Sequence, residues 1–322
     1  MCKMSINICN FNIEVILNNN PPCETTLESI SKQEIWNMKN EPFILIKGNN
    51  FKNGAVKVIV SYNEKQLINK SILIVNNLFQ LKIQLKQPLI NPKQIKITIN
   101  NEAFIIPIEL KKLYGTVKYF NGNAVKNPII HCTNSGIMAI GDEEGNFELI
   151  LSSKETQIGV FDKSYSKETL ESWIYNVNLN KDTKLDIKIG KAEVYGINVW
   201  HQYTSDYMHF IPMSLTKVNE AIKNGAKDEL EIASYIDKLP KLNKKDIKVY
   251  SNENIADILS FSEVDDFLGY KNGQPISRAG YVVSIPKETN VERIIKIEVN
   301  SNFKVDKKLI EDRGEGYYIV KK

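Results

Sequence analysis

The sequence predicts a mainly β protein, built as small sandwiches in series and followed by a β-rich domain with short helices. Short runs in which apolar and polar residues alternate recur along most of the chain. Asn, Gly and Pro turns separate these runs, and helical spacing is confined to part of the last third. Alternation with a period of two residues buries one face of a strand, and short strands at this spacing are typical of sandwiches.

The composition fits a folded chain of two or three domains. A length of 322 residues exceeds what one ordinary core organises, and a hydrophobic fraction of 42% is that of a globular protein. The formal net charge is only +4, and lysines are interspersed with acidic residues. A balance of this kind gives a solvated surface without a basic stripe, so no nucleic-acid partner is expected.

The alternation in residues 1–111 predicts a β-sandwich. A short apolar run is followed by Gly48 and then by Asn53-Gly54, a pair that tolerates positive φ and predicts a hairpin turn before a run of alternating valines. The stretch FILIKGNNFKNGAVKVIV resembles the start of an IPT/TIG-type immunoglobulin-like domain, in which a strand leads to Gly-x-x-Phe, here Gly48 and Phe51. The resemblance implies an immunoglobulin-like sandwich.

Residues 112–190 have two glycines at predicted hairpin turns, Gly122 and Gly145, where positive φ is needed. The segment 113–190 resembles a carboxypeptidase regulatory-like (transthyretin-like) domain. The residues that match this family's pattern are Gly115, Val117, Gly122, Val125, Asp142, Gly145 and Phe147. The resemblance implies a seven-stranded sandwich that usually serves as an accessory module without chemistry of its own.

Residues 191–322 combine predicted strands with short helices, and no family is identified for them. Ser214 is a predicted N-cap for a helix that Gly225 ends, and Asp228 is the N-cap of a second helix. The capping-box pattern that begins at Ser262 predicts one more helical turn. The predicted strands are 194–200, 208–211, 281–285, 294–299 and 317–320. The chain is thus expected to form tandem immunoglobulin-like and transthyretin-like sandwiches in 1–111 and 112–190, followed by this domain.

A candidate ligand face lies in the segment VWHQYTSDYMHFI. A three-residue loop centred on Ser205 pairs residues symmetrically about it, and side chains two positions apart share a face. The side chains that this register brings together are His201, Tyr203, Tyr207 and His209. Trp200, Met208 and Phe210 are assigned to the core. Three interpretations stay open: an aromatic pair that only stabilises the hairpin, a face that stacks a sugar or holds a polar ligand, and two histidines that hold a metal.

No motif assigns a catalytic residue, a metal or a cofactor. The chain lacks GxGxxG, GxxxxGK[ST], HExxH and GxSxG, which removes the commonest nucleotide, zinc-protease and serine-hydrolase interpretations. The acidic turn at Asp142 lacks EF-hand spacing, and the adjacent Asp265 and Asp266 point apart. Without a CxxC pair, a Cys9–Cys23 disulfide and free thiols are both compatible with the sequence, and we expect free thiols.

These features favour a non-catalytic, modular protein that binds or displays something, with a carbohydrate or a protein as the expected partner. The alternative is an enzyme that acts on a glycan or a peptide, with its active site in the C-terminal domain. The first twenty residues have no apolar core of signal-peptide length, and no run is long enough to span a membrane. The domain types favour a cell surface or a virion-like assembly.

Overall fold

A computed structural model describes residues 5–8, 11–28, 35–235, 241–288, 292–305 and 308–321. Strands account for 63% of the structure and helices for 6%, so the prediction of a mainly β protein is confirmed. Within the described residues no helix is long and apolar enough to cross a membrane.

The N-terminal part is a sandwich of two antiparallel sheets. Its strands are β1 (Ser5–Ile8), β2 (Phe11–Asn18), β3 (Cys23–Glu28), β4 (Ile35–Asn40), β5 (Phe43–Asn49), β6 (Gly54–Tyr62), β7 (Lys65–Ile74), β8 (Leu78–Gln84), β9 (Gln94–Ile99) and β10 (Glu102–Pro107). One sheet of the sandwich has the order β1-β2-β5-β8 and the other the order β10-β9-β6-β7, whereas β3 and β4 pair only with each other as a separate two-stranded sheet. Alternate Val and Ile side chains of both sheets meet in one apolar core.

The predicted hairpin at Asn53-Gly54 is not formed. Strand β5 pairs with β2 and β8, whereas β6 pairs with β7 and β9, so this turn carries the chain from one sheet to the other. Gly54 does adopt a positive φ of 135°. Local turn chemistry was therefore identified correctly, but it does not determine whether the next strand pairs with the previous one.

The middle part is a second sandwich. Its strands are β11 (Lys111–Tyr119), β12 (Ile129–Cys132), β13 (Met138–Ile140), β14 (Asn146–Leu151), β15 (Glu155–Phe161), β16 (Ser172–Val177), β17 (Thr183–Lys184) and β18 (Ile187–Ile189). One face is built around β11, which pairs with β14, β17 and β18, and the other has the order β13-β12-β15-β16. Gly122 and Gly145 have φ of 92° and 82°, which confirms the positive φ predicted for these turns.

The C-terminal part contains long hairpins and two helices. Its elements are β19 (Ala192–His201), β20 (Ser205–Ser214), α1 (Leu215–Lys223), α2 (Glu229–Ser234), β21 (Ile247–Ser251), β22 (Asn254–Ala256), β23 (Ser260–Lys271), β24 (Gln274–Pro286), β25 (Arg293–Val305) and β26 (Lys308–Val320). Sheet β19-β20-β24-β23 packs on strands β26, β25 and β21 around an aromatic and aliphatic core.

Helix starts in this part were predicted correctly. The Ser214 hydroxyl accepts from the amide of Lys217, and the Asp228 carboxylate accepts from the amide of Glu231. The helical turn predicted at Ser262 is wrong, because that residue lies in β23 and pairs with Val282 of β24. Strand β23 pairs with β24 along its length, so this stretch makes cross-strand backbone hydrogen bonds in place of a capped helical turn.

The middle and C-terminal parts share one sheet. Strand β26 pairs in parallel with β16, so the order β13-β12-β15-β16-β26-β25-β21-β22 runs across the predicted boundary at 190. The backbones of β19 and β26 approach each other closely. A Cβ atom added to Gly314 would lie 2.1 Å from the carbonyl oxygen of Ala192, and one added to Gly316 would lie 2.5 Å from that of Val194, so only glycine fits at these positions. The junction is therefore a packed interface.

Candidate functional site

The hairpin β19–β20 does not have the predicted register. Trp200 pairs with Tyr207 and His201 pairs with Asp206, so the loop between the two strands is 202–204, closed by a hydrogen bond from the amide of Gln202 to the carbonyl of Ser205. Relative to the prediction, one strand is shifted along the other by an odd number of residues. Side chains that were predicted to share a face therefore point to opposite faces of the sheet. The pairs that were predicted and do not form are His201–His209 and Tyr203–Tyr207.

The four predicted ligand residues therefore do not lie together on one face of the hairpin. Tyr207 and His209 lie on the outer face of the sheet and are half-buried. Tyr203 lies in the turn and is 94% exposed. His201 lies on the same side of the strand as the buried Asp206, at the end of the strand, and its own side chain is exposed.

Trp200 is on the outer face and not in the core, which corrects the prediction. Its indole stacks on the phenol ring of Tyr207, with centroids 5.7 Å apart and planes inclined by 16°. This is the offset geometry that aromatic pairs prefer, and it leaves part of each ring face uncovered. Met208 and Phe210 are buried as predicted. We call Trp200, Tyr207 and His209 the aromatic shelf.

A glycine sets the position of the His209 imidazole. A Cβ atom on Gly280 of strand β24 would lie 2.8 Å from His209 Nε2. The imidazole therefore lies across the backbone of β24, and any side chain at position 280 would displace it. Local sequence reasoning missed Gly280, because only the pairing of β20 with β24 brings it beside His209.

Exposed polar side chains border the aromatic shelf. Asn198 is the cross-strand partner of His209, and Ser262 pairs with Val282, which itself pairs with His209. Ser260 shares a 2.6 Å hydroxyl–hydroxyl hydrogen bond with the buried Ser284. Cross-strand partners share a face, so these donors and acceptors surround the aromatic rings.

Helices α1 and α2 cover the other end of the same sheet face. Their apolar side chains pack with Leu268 and Ile276 of the β23–β24 hairpin. Arg278 forms ion pairs with Asp266 and Glu229, and its guanidinium lies 4.9 Å from the ring centroid of Tyr195. The part of this face that the helices leave uncovered is therefore bounded by the charged side chains of Arg278, Asp266 and Glu229.

His201 is held by a buried ion pair. Its Nδ1 lies 2.6 Å from Asp206 Oδ1, and the other carboxylate oxygen of Asp206 contacts the guanidinium of Arg293. Partial burial, together with the positive charges of Arg293 and Lys287, lowers the pKa of His201. The Asp206 carboxylate is balanced by the charge of Arg293.

In the described residues, the other side chains considered as metal ligands or reactive groups do not lie together. No three His, Cys, Asp or Glu side chains converge there as a metal ion would require. Asp142 accepts hydrogen bonds from the amides of Glu144 and Asn146 and so stabilises its own turn. Cys132 is a buried free thiol and Cys23 a half-buried one; Cys9 lies outside the described residues.

The surface has several clefts. One of about 880 Å³ lies beside Phe120 and Arg313, and another of about 670 Å³ lies beside Tyr114. Neither is lined by residues of the aromatic shelf.

Comparison with known proteins gives no family for this chain. No family model matches, and no curated protein matches. Among solved structures, DUF3823 family proteins from Parabacteroides merdae and Bacteroides ovatus align with TM-scores of 0.19 and 0.20 at 9% and 12% identity, covering 66% of this chain and 100% of theirs. A Bacteroides uniformis protein provisionally described as carbohydrate-binding aligns with a TM-score of 0.20 at 9% identity, covering 66% of this chain and 98% of its own. TM-scores this low do not establish a shared fold.

Proposed function

We propose that this protein is a non-catalytic binding module and that the aromatic shelf binds a carbohydrate. The observation that carries the proposal is the half-buried Trp200–Tyr207 stack on the outer face of the sheet. Next to the stack lie the imidazole of His209 and the exposed side chains of Asn198 and Ser262.

The chemistry of a sugar fits this arrangement. The C–H bonds of a pyranose ring carry a partial positive charge and pack on the negative face of an aromatic ring. Its hydroxyl groups need donors and acceptors at the rim, which Asn198, Ser260 and Ser262 supply. Rigid aromatic side chains lose little conformational entropy on binding, so a shallow face gains affinity from them.

The test is a glycan-array screen of the full chain, followed by calorimetric titration with the oligosaccharide that gives the highest signal. Trp200→Ala and Tyr207→Ala should each weaken binding roughly tenfold, because each removes one stacking surface. The melting temperature of Tyr207→Ala should change little, since the ring is half-exposed.

Tyr203→Ala is the matched control. It removes a tyrosine side chain from the loop that connects the two strands, outside the aromatic shelf. Unchanged binding by this variant and weakened binding by Tyr207→Ala support the proposal. The proposal is overturned if no glycan binds, or if Tyr207→Ala binds the identified glycan as tightly as the parent does.

The same proposal assigns accessory roles to the preceding domains. We infer an immunoglobulin-like domain in 1–111, a carboxypeptidase regulatory-like domain in 112–190 and a distinct domain in 191–322 that carries the shelf. Gly48–Phe51 and the glycine turns at 122 and 145 support these assignments. The arrangement fits a surface or assembly component in which sandwiches position a binding face.

A second candidate, an enzyme that acts on a glycan or a peptide, is favoured by one observation. The imidazole of His201 is 44% exposed, and its Nδ1 lies 2.6 Å from Asp206 Oδ1, which is the geometry of a general base held by a carboxylate. His201→Ala should abolish hydrolysis of the array-identified glycan if this candidate is correct. Binding without turnover by the parent chain leaves the binding module as the function.

A further inference from the structure

Two glutamates meet at the junction between the middle and C-terminal parts of the chain. Glu171 immediately precedes β16, and Glu193 lies in β19. Their carboxyl groups hydrogen-bond to each other, and both residues are more than nine-tenths buried. This contact therefore joins the last long strand of the middle sandwich to the first strand of the C-terminal part.

The chemistry of the contact requires a proton. An ionised carboxylate is an acceptor only, so two carboxyl groups in mutual hydrogen-bond contact must include one that is protonated. The indole Nε1 of Trp173 donates to Glu193 Oε2 at 3.3 Å, whereas the buried Oε2 of Glu171 has no hydrogen-bond donor among the described residues. One neutral donor does not balance two buried negative charges, and the orphaned oxygen is where a proton would be held.

No cation contacts the pair within the described residues. The ionisable groups that face it are Tyr165 from the preceding loop, Tyr175 from β16, Tyr195 from β19 and Arg278 from β24. Arg278 is already paired with Asp266 and Glu229, and its charge acts on Glu193 only at a distance. Burial, and then the charge of Glu171, raises the pKa of Glu193 well above its usual value.

We propose that Glu171 and Glu193 form a proton-operated latch between the middle and C-terminal parts. While one proton is shared, the carboxyl–carboxylate hydrogen bond holds β19 on β16. When that proton passes to solvent, two buried carboxylates repel one another and the junction loosens. The step is a single deprotonation: the O–H bond of one carboxylic acid breaks, and no other group changes its charge.

Infrared spectroscopy of the full chain in deuterated buffer tests the shared proton directly. The parent should show the C=O band of a protonated carboxyl group at neutral pH, and this band should disappear only at alkaline pH. Glu171→Gln and Glu193→Gln should each remove it from the difference spectrum, because the remaining carboxylate accepts from the new amide. If the parent spectrum contains no such component that either variant removes, the latch is overturned.

Hydrogen exchange tests the loosening. After correction for intrinsic rates, the amides of 172–177 and 192–198 should lose protection with rising pH, by up to about tenfold per pH unit above the pKa of the pair. Glu193→Gln should keep its protection, since its amide donates to Glu171 without needing a proton. Glu102→Gln, an exposed glutamate in β10, is the control and should behave as the parent does. Equal loss of protection in the parent and in Glu193→Gln would also overturn the proposal.

Discussion

The guanidinium of Arg293 and the carboxylate of Asp206 form an ion pair inside the C-terminal sandwich, where their side chains are 1% and 0% exposed. Arg293 begins β25 and Asp206 lies near the start of β20, so the pair joins the two packed sheets. Asp206 also bonds to His201. Because both partners require this carboxylate in the interior, Asp206 stays in the strand and the turn moves toward Gln202.

Arg293→Met should destabilise the protein by about 3–5 kcal/mol, because it leaves the Asp206 carboxylate buried without its cation. The double variant Asp206→Asn with Arg293→Met should recover part of that loss, since no uncompensated charge remains. Chemical denaturation curves measure both free energies of unfolding. Equal losses in the single and double variants would contradict this account of the pair.

Gly280→Ala should displace the His209 imidazole with a small loss of stability, because the atom that the new methyl group meets is the end of a side chain. A double-mutant cycle with His209→Ala measures the contact: the Gly280→Ala effect on glycan binding should vanish once His209 is absent. A Gly280→Ala effect that is the same with and without His209 would show that the imidazole does not depend on this glycine.

Local patterns predicted the strands and the helix caps of this protein, but not the site. Alternation identified the valines after Asn53-Gly54 as one buried face of a strand, and the N-caps Ser214 and Asp228 were found from residue type alone. These features depend on a few neighbouring residues, so the sequence carries them directly.

The register of the β19–β20 hairpin depends on a residue far along the chain. Arg293 is distant in sequence from Asp206, and no local rule links them. A symmetric loop at Ser205 would have placed Asp206 in the turn, with its carboxylate in water. The burial of that carboxylate against Arg293 favours the observed register, in which a loop of the same length lies at 202–204, and this register moves Trp200 from the predicted core face to the surface.

Glu315 should make stability depend on pH between about 4.5 and 7. Its carboxyl group is buried, accepts from the amide of Lys188 at 2.5 Å and bonds to the hydroxyl of Tyr317. Burial, partly offset by Lys296 and these hydrogen bonds, raises the pKa of Glu315 to about 7. The folded pKa exceeds the unfolded one, so this contribution is fully present below about pH 4.5 and is lost as the pH rises to about 7.

The loss should be on the order of 3 kcal/mol, from one pKa shift of this size. Glu315→Gln should flatten the dependence of the unfolding free energy on pH across that range. Glu102→Gln, on an exposed strand position, should leave the parent's profile intact. A Glu315→Gln profile that parallels the parent's would assign the pH dependence to other groups.

Cys132→Ser should reduce stability by roughly 1–3 kcal/mol without affecting binding, because a hydroxyl in this buried site is imperfectly satisfied. Burial also raises the pKa of the Cys132 thiol well above its usual value, so the group stays protonated and unreactive. Cys23→Ser, at a half-buried thiol, should cost less. Loss of glycan binding by a folded Cys132→Ser variant would indicate a functional thiol.

The pairing of β16 with β26 makes a prediction about the middle domain in isolation. A fragment of residues 112–190 should give a β-type circular dichroism spectrum, because its two sheets and most of its core are internal to it. Its β16 edge would be unpaired, however, and the core would lack Tyr317 and Ile319, which pack into it from β26.

Fusing residues 308–321 to the fragment through a flexible linker should raise the melting temperature, by about 4–8 °C for each kcal/mol that the strand contributes. The same linker with the strand sequence reversed is the control, since it keeps the composition but loses the alternation that faces the core. If the fused and reversed versions melt together with the fragment, β26 stabilises only the C-terminal part, and the predicted boundary at 190 separates two independently stable units.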